Sequence, residues 1–135
     1  MVGVEGIDHI CVAVKDLDEA VKIWGPFFGK EEPDRTYTHE PEAIKVAAYR
    51  LGEIYYELVA STREGSDVDR FLKKYGEGVM LISFKVRDIE SAMGALKDQG
   101  YQLIGESPRT WRSSKYAFVH PRNMNGVLVE IIAAA

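Results

Sequence analysis

From residue 7 to residue 14 the chain alternates. Ile10, Val12 and Val14 fall on one side, with His9, Cys11 and Ala13 on the other. Period-two alternation in a β-branched run predicts a strand whose apolar side is covered by helices. The period then lengthens. Asp16-Leu-Asp-Glu19 has the form of a capping box, and Leu17, Ala20, Val21 and Trp24 recur at helical spacing up to Gly25-Pro26, where the helix is predicted to stop. Residues 30–42 are polar and include Pro33 and Pro41, which predicts a loop or frayed strand. Two strands follow, at 44–51 and 54–60, around a turn at Gly52-Glu53.

Ser66-Asp-Val-Asp69 opens a short helix with Val68, Phe71, Leu72 and Tyr75 on one face, closed by Gly76 in the left-handed conformation. The pattern then starts again. Residues 79–86 read as a strand, and Asp88 caps a helix carrying Ile89, Ala92, Met93 and Leu96 and ended by Gly100. Residues 101–104, 115–120 and 126–132 read as strands. The segment from His9 to Ala20 returns as Leu81 to Ala92, and Tyr55-Tyr-Glu-Leu-Val59 returns as Leu128-Val-Glu-Ile-Ile132. Each half is β-α-β-β-β, and neither sheet can bury its inner face alone. The fold class is therefore α+β: two tandem βαβββ modules, roughly 5–62 and 77–133, joined by a short helix. They are expected to form one domain over residues 1–135, with a curved, cup-shaped mixed sheet and outer helices.

Composition narrows the class without changing this picture. With 135 residues, 46% hydrophobic and 28% charged, the chain can bury a core as one domain. A formal net charge of −4 argues against a nucleic-acid partner. The single cysteine, Cys11, cannot form an internal disulfide and lies in an apolar strand, which suits a reduced, cytoplasmic protein. No apolar run reaches the length of a membrane span, and no signal-peptide pattern opens the chain.

Repeat-equivalent residues should converge near a pseudo-twofold axis. His9 with Glu57, and Leu81 with Glu130, would then face a shared cavity. A carboxylate among apolar neighbours is costly to bury unless a cation, a donor or a proton compensates it. His9, Glu57 and Glu130 are therefore candidate ligands of a divalent metal, and Leu81 cannot be one. The bland readings are a hydrogen-bonded histidine and edge-strand glutamates pointing to solvent. His39, beside Glu40 and Glu42 in the predicted loop, and His120, before Pro121, are spare imidazoles. Arg109, Arg112 and Lys115 read as a solvated loop, or as a grip on an anionic substrate.

Ile7-Asp-His-Ile10, Val14-Lys-Asp-Leu17, Phe71-Leu-Lys-Lys-Tyr-Gly-Glu-Gly78, and His120-Pro121 followed by Asn125-Gly-Val-Leu-Val-Glu130 occur together and in order. In these motifs the chain resembles the vicinal oxygen chelate superfamily and, within it, the methylmalonyl-CoA epimerases. The resemblance implies the paired βαβββ fold, a homodimer, and a divalent ion (Co, Mn or Mg) on His9, Glu57 and Glu130. The remaining ligand of the pattern is a histidine, the second of a His-His pair, and Met80-Leu81 stands in its place. The proton-abstracting glutamate of the pattern follows a proline and falls on Glu42; Glu130 is the other candidate catalytic carboxylate. Ala43-Ile44 and Trp111-Arg-Ser-Ser114 also depart from the pattern, next to the expected substrate mouth.

The implied chemistry is metal-assisted proton abstraction beside the thioester carbonyl of an acyl-CoA or related carbonyl acid. Losing a neutral histidine leaves the ligand charge unchanged but removes one coordinate bond, so weaker metal binding is expected. Two alternatives stand beside it: a metal-free small-molecule-binding member of the same superfamily, and a glyoxalase-like isomerase.

Overall fold

The computed structural model describes residues 1–134. In chain order the elements are β1 (Val4–Ala13), α1 (Leu17–Phe28), β2 (Arg35–His39), a 3-10 turn (Glu40–Glu42), β3 (Ile44–Leu51) and β4 (Ile54–Ser61). The connecting helix α2 (Asp67–Tyr75) follows. The second copy is β5 (Gly78–Val86), α3 (Ile89–Asp98), β6 (Leu103–Trp111), β7 (Ser114–Val119), a second 3-10 turn (Pro121–Asn123) and β8 (Leu128–Ala134). Each half is thus β-α-β-β-β, as the repeat predicts. Hydrogen bonding orders the strands β2-β3-β4-β1-β5-β8-β7-β6. The two repeat helices are capped alike: Asp16 accepts from the Glu19 N–H and Asp88 from the Ser91 N–H.

Three local expectations are corrected, and one left open between loop and strand is resolved. Helix α1 runs through Gly25-Pro26 and ends at Gly29, whose φ of 71° is left-handed. Proline removes only one helical N–H, and the last turn is held by aromatic packing: Phe28 lies 5.1 Å from Tyr49 and Trp24 5.0 Å from Tyr56, centroid to centroid. Part of the polar stretch 30–42 is the strand β2, paired from Arg35↔Ala48 to His39↔Ile44. An edge strand carries polar residues on its exposed side, which hid its period. Gly76 has φ 80° but ψ −167°, so it turns the chain without adopting the left-handed helical form. The segment around Arg109, Arg112 and Lys115 is a β6–β7 hairpin with a register break between Ile104 and Arg109, not a loop. Lys115 Nζ bonds Glu90 Oε1 at 2.9 Å, and Arg109 lies over the Phe118 ring at 5.2 Å.

Packing divides the described residues into two compact units, and β1 contributes to both. In residues 10–80, α1 covers a core of Val12, Val14, Ala20, Ala47, Tyr49, Leu58 and Ala60. Alternation then leaves Tyr55, Glu57 and Val59 of β4, with Val46 and Ala48 of β3, on the face away from α1. The other unit holds residues 1–9 and those from Leu81 onward. There α3 packs on Val86, Val129, Ile131 and Ala133, which leaves Leu81, Ser83 and Glu130 on the opposite face. No helix among the described residues is long and apolar enough to cross a membrane.

Candidate active site

His9 lies near the end of the β1 segment that packs with the second repeat. Its Nδ1 is 2.8 Å from Asp8 Oδ2, and its Nε2 is 3.2 Å from Glu130 Oε1. A carboxylate can only accept at Nδ1, so Nδ1 carries a proton and Nε2 is the ring atom turned toward Glu130. Glu130 sits in β8 and is 7% exposed, and its Oε1 has no hydrogen-bond partner. The 3.2 Å approach to His9 is an ion-pair distance without hydrogen-bond alignment. Two lone pairs facing each other in a nearly dry site repel, unless a proton or a cation lies between them.

A divalent ion fits this pair. Two ligand atoms at right angles, each about 2.1 Å from a small divalent ion, lie about 3 Å apart. Asp8 gives His9 the outer carboxylate that fixes a metal-binding imidazole in one tautomer and orientation.

Glu57, 4% exposed, stands among apolar neighbours on the face of β4 away from α1. Tyr37 of β2 donates its hydroxyl to Glu57 Oε1 at 3.2 Å, and the Cys11 thiol reaches the same oxygen at 3.8 Å. Cys11 and Glu57 each offer a potential ligand atom, within 4.8 Å of one another. An oxygen donor beside a thiol suits borderline divalent ions better than calcium.

Leu81 is 8% exposed and pairs with Leu128 in register, so it is apolar wall on the face that carries Glu130. Ser83, two residues on, is fully buried, and its Oγ has no hydrogen-bond partner. Glu42 closes the 3-10 turn after β2 and is half-buried, and the next residue, Ala43, is buried with a left-handed φ of 56°. The spare imidazoles separate. His39 is 7% exposed at the end of β2. His120 caps the second 3-10 turn, its Nδ1 accepting from the Arg122 N–H at 3.1 Å.

Asp8 and Tyr37 were not singled out by sequence reasoning, which also found nothing at Met80, Ile82 or Ser83 to replace a strong ligand. Asp8 adjoins the predicted ligand within the motif Ile7-Asp-His-Ile10, which is a usable signal. Tyr37 lies within a stretch whose strand character was hidden, and Ser83 is adjacent to Glu130 only through cross-strand register.

Over residues 8–119 the sequence matches the profile of the Glyoxalase/Bleomycin resistance protein/Dioxygenase superfamily. The chain belongs to this superfamily. Its relatives within the superfamily include an uncharacterized Bacillus subtilis protein, YqjC, 34% identical over 93% of this chain and 89% of the relative. The ethylmalonyl-CoA/methylmalonyl-CoA epimerase of Cereibacter sphaeroides is 31% identical over 93% of this chain and 95% of its own. Among solved structures, a variant of Streptomyces coelicolor methylmalonyl-CoA epimerase in complex with 2-nitronate-propionyl-CoA superposes with a TM-score of 0.90. It is 31% identical and covers 98% of this chain and 99% of that one. The vicinal oxygen chelate fold and the resemblance to methylmalonyl-CoA epimerases are thus borne out across nearly the full length.

Proposed function

We propose that this protein is an epimerase of a short-chain 2-alkylmalonyl-CoA such as methylmalonyl-CoA, with a divalent ion held by His9, Glu57 and Glu130. The observation that carries the reading is the buried, unpartnered Glu130 oxygen 3.2 Å from the His9 Nε2, in a chain of this superfamily. Support for the substrate class comes from the Cereibacter relative and from the Streptomyces neighbour. A nitronate carries its charge on oxygens beside a planar carbon, as an enolate does.

Glu42 takes the proton from C2 of the acyl group, a carboxylate in a partly closed position being a suitable base, and a proton returned to the opposite face of the enolate, by Glu42 or by a second acid, completes the epimerisation. Asp8 keeps His9 in the tautomer whose Nε2 lone pair is free to bind. Tyr37 orients Glu57 and meets part of its hydrogen-bonding capacity. A divalent cation at these residues supplies fixed positive charge against the developing enolate oxygen, an effect worth several kcal/mol. Leu81 in place of the expected histidine makes the cation weaker-bound but leaves the ligand charge intact. The homodimer implied by the resemblance is part of the same proposal.

The test is deuterium uptake at C2 of methylmalonyl-CoA in heavy water with added Co²⁺ or Mn²⁺. Uptake is expected for the native chain and should fall by roughly a hundredfold or more in Glu42→Gln. Absence of uptake by the metal-loaded protein would reject the substrate.

A second reading, a metal-free binder of a small acid or thioester, is favoured by Leu81 together with the Tyr37 and Cys11 contacts to Glu57. Under it His9 is an imidazolium shared between Asp8 and Glu130. Calorimetric titration with Mn²⁺ separates the two, because tight one-to-one binding abolished in Glu130→Ala belongs only to the first.

A further inference from the structure

Among the described residues, one buried oxygen on this face besides that of Glu130 lacks a partner, and it belongs to a residue outside the ligand pattern. Ser83 of β5 is the in-register neighbour of Glu130 of β8 in a parallel pair. In-register neighbours project to the same side about 4.8 Å apart, so Ser83 Oγ and Glu130 point out of the sheet together. Ser83 is 0% exposed, and neither Ser83 Oγ nor Glu130 Oε1 has a hydrogen-bond partner. Native proteins seldom leave two adjacent buried oxygens unsatisfied; such groups mark an ion or a water.

Two residues earlier on the same strand and face stands Leu81, facing Leu128 and offering no donor. β5 therefore presents one donor to this face beside Glu130, and it is a hydroxyl shorter than an imidazole. A water spans that difference. We propose that Ser83 stands in for the absent histidine: its hydroxyl hydrogen-bonds a water ligand of the divalent cation held by His9 and Glu130. This rests on the metal reading above and deepens it, because it names how a site with Leu81 keeps its coordination shell filled.

The test is Mn²⁺ titration by calorimetry, with bound-water counting by electron–nuclear double resonance in ¹⁷O-water, on four proteins: native, Ser83→Ala, Leu81→His and the double variant. Outer-shell partners of metal sites commonly carry tenfold or more in affinity. Ser83→Ala is expected to weaken Mn²⁺ binding by roughly tenfold and to change the bound-water signal, with the metal-free melting temperature unchanged or raised. In the Leu81→His background the same substitution should cost much less, since a direct ligand then replaces the bridged one. If the native protein binds Mn²⁺ and Ser83→Ala binds it equally well, this inference falls and the metal reading stands. An equal loss in both backgrounds also overturns it, as that is the mark of a general structural effect. If the native protein binds no Mn²⁺, the metal reading fails and this inference with it.

Discussion

Asp8 is where a single side chain sets the state of the site. Its carboxylate accepts the Nδ1–H of His9 at 2.8 Å, and that bond leaves Nε2 as the ring atom facing Glu130. In Asp8→Ala the imidazole can rotate and take either tautomer. Mn²⁺ affinity measured by calorimetry should then fall by roughly 10- to 100-fold, while the circular dichroism spectrum stays native because Asp8 is only half-buried. Unchanged affinity would mean that His9 is oriented by packing alone. At this scale the sequence was informative where chemistry broke a pattern. Glu57 and Glu130 were legible because each puts a carboxylate among apolar strand residues, at matching places in two copies. Asp8, Tyr37 and Ser83 carry no such mark. Their roles follow from which residue lies beside which across strands, and that register is absent from a one-dimensional pattern.

Among the elements, α1 shows how a residue can be read correctly as special and wrongly as to why. Gly25-Pro26 resembles a stop, yet the helix passes through it to Phe28. Gly25 is required by proximity: a Cβ there would lie 2.9 Å from the backbone carbonyl of Lys30 and 3.4 Å from Tyr49 Oη. The Lys30 N–H also bonds the Gly25 carbonyl at 2.9 Å, so the chain leaving the helix is held against this residue. Backbone cannot yield as a flexible side chain would. Gly25→Ala should therefore destabilise the fold by about 1–3 kcal/mol despite alanine's better helix propensity. Urea denaturation checks the sign, and a neutral or stabilised variant would show that the Lys30 segment is free to move. The elements with clean periods, β3 at 44–51 and the α3 face from Ile89 to Leu96, needed no revision. Those that did were an edge strand and a bulged hairpin, where solvent on one side or an irregular register erases the alternation.

For the whole chain, the duplicated plan was legible from the repeat, but the allocation of β1 was not. Its residues up to His9 pack with the second copy, and those from Ile10 onward with the first. A period-two pattern states which face a residue takes and leaves open which partner it keeps. A cation bound by the proposed ligands is held by the folded chain and not by the unfolded one, so its binding free energy adds to stability. At a free concentration one hundred times Kd this amounts to about 2.7 kcal/mol, which for a chain of this size raises the melting temperature by on the order of 10 °C. Heating monitored by calorimetry with and without Mn²⁺ should show that shift, in a single transition reversed by EDTA. Glu130→Gln should remove most of it, and so should Glu57→Ala. If Glu130→Gln abolishes the shift while Glu57→Ala leaves it intact, the cation is held by His9 and Glu130 without Glu57. Glu57 would then be an acid satisfied by Tyr37 and Cys11, and the three-residue ligand set would have to be abandoned.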